Sequence, residues 1–183
     1  ATFASKVKRD RVVGFGMAGD ENHLDILDFK ESFKLAKDSG LGITVHAGEI
    51  CGSKSVDDAI ALGVTRIGHG VRSKESKQTI LRLLERNIML EICPGSNVAL
   101  GLYPALRDHP VNFFHSKNLP ISISTDDPPF FSTTLSKEYK DLHNAFGWEE
   151  DTFNEINQRS LKFAFCGSSL REKLIQQLQG EKN

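Results

Sequence analysis

The chain has 183 residues, which is enough for one domain with a hydrophobic core. Its formal net charge is −1 and its Lys and Arg residues are scattered, so neither a nucleic-acid partner nor an acidic membrane surface is indicated. Three cysteines without a Cys-x-x-Cys pair argue against a disulfide framework and predict reduced thiols in a cytoplasmic protein.

The apolar runs and the start of the chain add two expectations. No apolar run approaches the roughly 18 residues that cross a bilayer, and residues 1–10 lack the hydrophobic region of a signal peptide. The chain begins with Ala1 rather than Met, which predicts a fragment of a longer protein. We therefore expect residues 1–183 to form a single domain with no membrane partner.

Short β-branched runs alternate with amphipathic segments along the chain. The first predicted strand is 11–15, and the helix that follows, 25–39, has apolar residues on one face and ends at Gly40. Pro94-Gly95 is predicted to end the strand before it, and residues 151–179 are predicted to be helical with a break at 167–169. The remaining predicted strands are 42–46, 65–69, 87–93 and 119–124, and the remaining helices are 56–62, 76–85 and 109–115.

Five strands that alternate with helices predict right-handed βαβ units and a parallel sheet, which is an α/β fold. Polar residues follow the ends of successive strands, and in a (β/α)8 barrel that edge carries the active site. Five units are too few to close a barrel of about 250 residues. We therefore interpret the chain as the carboxyl-terminal five βα units of a TIM-like barrel. The polar residues at the strand ends are Gly19, Asp20, Glu21, His46, Glu49, His69, Asn97, Asp126 and Asp127.

Several of these residues have the chemistry of a metal-dependent hydrolase. His46 and Asp126 are suitable ligands for a borderline metal such as zinc. Glu49 and His69 would serve as proton-transfer groups, because activated water must lose a proton and a leaving group must gain one. Asp127 points away from such a site if its strand continues and toward substrate if the chain turns, and the two prolines that follow favour the turn.

Structural roles are the alternative for each of these residues. A single His at a strand end is more often a hydrogen-bonded structural residue, and an Asp-Asp-Pro run is usually a turn or a helix cap. Phe130 and Phe131 are predicted to pack in the core or to form an apolar wall beside the site. The conjunction of ionisable and polar groups at four strand ends favours a site. The other four histidines are predicted to be surface or capping residues: His23, His109, His115 and His143.

Five motifs together resemble the motif series of adenosine deaminases in order and approximate spacing, from about Arg11 to Tyr139. A single four-residue match is weak evidence, whereas five matches in order are strong evidence. The five motifs are Ala18-Gly19-Asp20-Glu21, His46-Ala47-Gly48-Glu49, Arg66-Ile67-Gly68-His69-Gly70, Cys93-Pro94-Gly95-Ser96-Asn97 and Ser124-Thr125-Asp126-Asp127-Pro128.

The resemblance implies a zinc-dependent amidohydrolase with one Zn²⁺ per full-length subunit, which deaminates adenosine, a small-molecule purine nucleoside, to inosine and ammonia. It implies that His46 and Asp126 are zinc ligands and that Glu49 donates a proton to N1 of the purine. His69 would orient and deprotonate the attacking water. Asp127 would form a hydrogen bond near N7 and would also help to position the attacking water. The backbone N–H of Gly19 would donate a hydrogen bond to N3.

The sequence departs from the family at its beginning. Adenosine deaminases carry a His-x-His pair on the first barrel strand, and this chain has none. We therefore expect a missing amino-terminal segment of the same protein to supply three strands and two ligands, and we expect the 183 residues alone to be inactive. The alternatives are adenine or another adenosine derivative as substrate, a different metal hydrolase that acts on an amide or ester, and a non-catalytic interaction module. The H-x-E and P-C-x-x-C pattern of zinc deaminases that edit nucleobases is absent.

Overall fold

The computed structural model describes residues 1–7, 11–23 and 25–180. Five strands form one sheet, in which each strand lies beside the next strand along the chain. The strand pairs whose register is defined, β1 with β2 and β2 with β3, are parallel. The strands are β1 (Gly14–Met17), β2 (Gly42–Ala47), β3 (Arg66–His69), β4 (Met89–Ile92) and β5 (Ile121–Ile123).

Helices connect the strands and form the carboxyl-terminal tail. Short 3₁₀ helices cover Ile26–Phe29, Val71–Glu75 and Leu106–Asp108. The α-helices are α1 (Thr2–Lys6), α2 (Lys30–Asp38), α3 (Ser53–Ala61), α4 (Lys77–Glu85), α5 (Pro94–Ala99), α6 (Val111–Ser116), α7 (Pro128–Phe131), α8 (Leu135–Phe146), α9 (Glu150–Leu161) and α10 (Ser168–Gly180). Within the described residues, no helix combines the length and the apolar character that a membrane crossing requires.

Local chemistry explains where several helices begin and end. The side chain of Asp25 accepts a hydrogen bond from the Leu27 N–H, so the predicted helix 25–39 begins with a 3₁₀ turn. Ser76 caps α4 by accepting a hydrogen bond from the Thr79 N–H at 3.2 Å. Gly40 lies at φ 74°, the left-handed conformation that ends α2.

Two helices after β4 and β5 were not predicted. Pro94 ends the preceding strand as predicted, since β4 stops at Ile92, and it also opens α5, because proline fits the first helical turn, where no backbone N–H is needed. Helix α8 was not predicted, although Thr134 caps it by accepting from the Lys137 N–H.

The chain divides into two compact units, Ala1–Leu90 and Glu91–Asn183, and the boundary lies within β4. In the first unit, Phe33 and Ala36 of α2 are buried together with Val45 and Ile67 of the sheet. In the second unit, the fully buried side chains include Phe114 and Leu142. Burial of each large apolar side chain stabilises the fold by about 1.5–3 kcal/mol, so each unit has a core that fixes its strand ends.

Candidate functional site

The ends of β2 and β3 bring His46 and His69 together. The parallel register places His46 beside Gly68 and Ala47 beside His69. A Cβ atom at position 68 would lie 2.5 Å from His46 Cδ2, so glycine at this position leaves room for the imidazole ring. The two imidazole rings meet edge to face, with their centroids 4.7 Å apart.

Glu49 joins these two histidines, as the strand-end pattern predicted. Its Oε1 atom lies 3.4 Å from His69 Nδ1, and the ligand atoms of His46, Glu49 and His69 all lie within 4.8 Å of one another. Glu49 and His69 are buried, and burial of such groups is costly unless they are paired or bind a metal. The imidazole of His46 is a ligand type that zinc prefers, and Glu49 and His69 lie beside it as the proton-transfer groups that the sequence predicted.

The backbone is strained at two of the predicted site residues. His69 and Asp126 have φ values of 61° and 58°, the left-handed region that side chains other than glycine rarely adopt. Asn87 and Asn118 share this conformation, but each follows a helix, where it is common. A strained residue costs about 1–3 kcal/mol and is often found at a functional site, so the strain at His69 and Asp126 supports the prediction of a site.

A cavity of about 230 Å³ lies beside His46 in the first unit. Gly19, which the sequence predicted to contact substrate, lies in its wall at φ 135°, and a Cβ atom at that position would meet no atom within 4 Å. The backbone at Gly19 is therefore open to the cavity. The lining also includes Met17, Phe29 and the exposed His23, which sequence reasoning did not assign to the site.

The thiol of Cys51, in the loop after β2, has a raised pKa. Partial burial raises its pKa, and the nearby negative charge of Glu21 raises the pKa further. The positive charge of Arg72 opposes these effects and lowers the pKa by a smaller amount. The thiol is consequently held in its neutral form to a higher pH than an ordinary cysteine.

In the second unit, Asp126 is held by a chain of hydrogen bonds. The hydroxyl of the buried Ser96 donates to Asp126 Oδ2 at 2.7 Å. The buried carboxylate of Glu138 accepts from the Gly95 N–H at 2.9 Å and from the Thr133 hydroxyl at 2.6 Å. Glu138 thus fixes the residue next to Ser96, and Ser96 fixes one oxygen of Asp126. Sequence reasoning missed Glu138, because its partner Gly95 lies 43 residues away.

The prediction that His109 is a surface or capping residue was wrong with respect to its burial. His109 is buried, and its Nδ1 accepts from the Val111 N–H at 3.1 Å. Nε2 therefore carries the proton and donates to Asn97 Oδ1, also at 3.1 Å. The contact to Val111 does cap α6, so His109 links the start of that helix to the buried Asn97.

Asp127 and Phe130 lie on the exposed part of the second unit. Asp127 precedes α7, and its carbonyl accepts from the Phe130 and Phe131 N–H groups. Phe130 is 83% exposed, so the first of its two predicted roles, packing in the core, was wrong, and the second, an apolar wall beside the site, stays a prediction. Helix α7 begins at Pro128, immediately after Asp127, and has only four residues. Phe130 on this short helix is exposed to solvent. The role of Asp127 toward substrate remains a prediction.

Comparison with known proteins places this geometry in a family. A family model described as adenosine deaminase matches residues 1–181. The chain belongs to the adenosine deaminase family. Among members of this family, the adenine deaminase of Agrobacterium fabrum is 42% identical over 179 residues, which cover 97% of this chain and 55% of that protein. The adenine deaminase of Rhizobium rhizogenes is 40% identical over 97% of this chain and 56% of its own length. The chain therefore spans about half the length of these relatives.

Solved structures share the fold. The adenine deaminase of Arthrobacter aurescens has a TM-score of 0.87 at 25% identity, over 92% of this chain and 52% of that chain. The Arabidopsis N6-mAMP deaminase has a TM-score of 0.90 at 23% identity, over 98% and 53%. An amidohydrolase from Burkholderia ambifaria, solved with bound zinc, has a TM-score of 0.89 at 22% identity, over 98% and 51%. These likenesses confirm the predicted α/β class and agree with part of a TIM-like barrel.

Proposed function

We propose that this chain is the carboxyl-terminal part of a hydrolytic adenine deaminase, which converts adenine and water to hypoxanthine and ammonia. The observation that carries the choice of adenine is the 42% identity to an adenine deaminase over 97% of the chain. The motif series predicted adenosine first and adenine as an alternative. Because both substrates present the same amidine group at C6, the ring-facing motifs do not separate them, and the relatives favour adenine.

Zinc is the proposed cofactor, as the ligand types around His46 and the zinc in a structure of the same fold suggest. His46 and Asp126 are the proposed ligands from this chain, and further ligands would come from the rest of the full-length protein. When bound, zinc supplies Lewis-acid chemistry that lowers the pKa of a water molecule.

Glu49 and His69 are the proposed proton-transfer groups. Glu49 would donate a proton to N1 of the purine, which makes C6 more electrophilic, and His69 would accept a proton from the attacking water. Their separation of 3.4 Å is longer than a charge-assisted hydrogen bond, and such contacts commonly tighten only when substrate is bound. Water adds to C6 as N1 takes up its proton, which gives a tetrahedral carbon. The C6–N6 bond then breaks as N6 takes up a proton that came from the water, so that ammonia leaves and hypoxanthine keeps the proton on N1.

Two further groups would position the base. The backbone N–H of Gly19 is the proposed donor to N3, since Gly19 lies in the cavity wall beside His46. Asp127 is the proposed hydrogen-bonding partner near N7 and is also proposed to help position the attacking water. The partner is thus a small purine, and the single-domain organisation and cytoplasmic location remain predictions from the sequence.

A substrate panel tests the proposal. The full-length protein would be assayed for ammonia release from adenine, adenosine, N6-methyl-AMP and a simple cyclic amide. We expect kcat/KM for adenine to exceed that for adenosine by at least about tenfold, a typical discrimination by pocket fit. Turnover of adenosine alone would restore the substrate that the motifs predicted, and turnover of the cyclic amide alone would contradict purine deamination.

A further inference from the structure

The carboxylate of Glu21 binds three consecutive backbone N–H groups in the loop after β2. Oε1 accepts from the Glu49 N–H at 2.9 Å, and Oε2 accepts from the N–H groups of Ile50 at 3.2 Å and Cys51 at 2.6 Å. Glu21 follows β1 and lies 28–30 residues from these partners in sequence. The side chain of Glu21, which follows β1, thus fixes the loop that follows β2.

The contacts of Glu21 are stronger than ordinary loop contacts. Hydrogen bonds from N–H groups to an ionised carboxylate are shorter and roughly twice as strong as neutral ones. The other side of the loop is fixed as well, because the Gly48 N–H donates to Ser55 Oγ at 2.7 Å and Gly48 lies at φ 67°. Hydrogen bonds therefore fix the backbone on both sides of Glu49.

The side chain of Glu49 depends on that backbone position. Glu49 is buried, with Oε1 at 3.4 Å from His69 Nδ1. A shift of about 1 Å in a reacting group can cost on the order of 10²-fold in rate. A change that frees the Glu49 N–H is consequently expected to disturb the carboxylate that the proposed function uses as proton donor.

We propose that Glu21 is a positioning residue, which holds residues 49–51 so that Glu49 is placed for proton donation to the purine. This proposal rests on the proposed function, since it assigns Glu21 to the same proton transfer. Glu21 acts through its backbone contacts to the loop and needs no contact with the reacting atoms of the substrate.

Hydrogen–deuterium exchange tests the contacts without any substrate. In the full-length protein, the N–H groups of residues 49–51 should exchange slowly, and Glu21→Gln should speed their exchange by at least about tenfold, because an amide offers only one acceptor atom. Glu31→Gln, an exposed acid on α2, is the matched control and should leave this exchange unchanged. Equal exchange in Glu21→Gln and the unmodified protein would overturn the proposal, whatever the substrate is.

A double-mutant cycle tests the role in catalysis. Glu21→Gln should lower kcat for adenine by about 10- to 100-fold with less change in KM and with the bound zinc retained. Glu21→Asp, which keeps the charge, should restore part of the rate. In a Glu49→Gln background the same Glu21→Gln change should have less than about a threefold effect, because the group it positions is already lost. Equal losses of rate in both backgrounds would overturn the proposal. If the unmodified protein does not deaminate adenine, the proposed function is contradicted, and the hydrogen–deuterium exchange experiment alone then tests the role of Glu21.

Discussion

At the scale of a single residue, Gly68 in β3 leaves room for the side chain of His46 in β2. A Cβ atom there would lie 2.5 Å from Cδ2 and 3.1 Å from Nε2 of His46. Gly68→Ala should therefore displace the imidazole, lower the zinc content of the full-length protein and reduce kcat/KM for adenine on the order of 10²-fold. Metal analysis and steady-state kinetics on the same preparation measure both effects.

Gly167→Ala is the matched control for this change. A Cβ atom at Gly167 meets no atom within 4 Å, and the residue lies outside the first unit. It should retain the zinc content and activity of the unmodified protein. Normal zinc content and activity in Gly68→Ala would show that the ring of His46 does not need the space above β3.

Cys51 gives a pH-dependent prediction at the same scale. Because burial and Glu21 raise its pKa, less thiolate is present at a given pH than for an ordinary thiol. Alkylation of Cys51 by iodoacetamide should be slower than that of free cysteine at pH 8, and the rate should keep rising with pH after free cysteine has reached its plateau. Peptide mass spectrometry would measure the modified fraction, and a plateau at the same pH as free cysteine would contradict the prediction.

Single residues also show which part of the site could be read from the sequence. The meeting of His46, Glu49 and His69 could be predicted because each lies at or just after the end of a β-branched or apolar run that local periodicity identifies as a strand. Glu138 and His109 could not, because their burial depends on Gly95 and Asn97, which are distant in sequence. The strain at His69 is likewise a property of the folded backbone, which no pattern of residue types indicates.

At the scale of elements, a buried hydrogen bond joins α5 and α8. Glu138 on α8 accepts from the Gly95 N–H in α5, and a Cβ atom at Gly95 would lie 2.2 Å from Glu138 Oε1. Gly95→Ala should therefore lower the free energy of unfolding by about 1–3 kcal/mol, the usual cost of overpacking. Urea denaturation of the full-length protein measures this loss, with Gly167→Ala as the control. An unchanged midpoint in Gly95→Ala would show that the carboxylate moves aside at little cost.

The elements themselves were predicted to different degrees. The five strands were predicted in the correct order, although β1 begins at Gly14 rather than at residue 11. Pro94 was predicted to end the strand before it, and β4 does end at Ile92. Its second role, as the first residue of α5, was not predicted, because proline breaks the interior of a helix but fits its first turn.

At the scale of the whole molecule, the chain spans about half the length of its relatives, so its activity should depend on the rest of the protein. We predict that the 183 residues alone bind zinc weakly and do not deaminate adenine, because His46 and Asp126 are only two proposed ligands and catalytic zinc usually has at least three. Zinc titration and an ammonia assay on this chain measure both properties. Stoichiometric zinc together with turnover close to that of the full-length protein would contradict the prediction.

Glu49 is the proposed proton donor for the hydrolytic deamination of adenine. The most direct measurement is kcat for ammonia release from adenine by the full-length protein and by its Glu49→Gln variant, with zinc content determined for both. We predict one ammonia and one hypoxanthine per adenine for the unmodified protein, and a rate at least about 10²-fold lower for the zinc-loaded variant. Equal rates for the two proteins at equal zinc content would contradict the account.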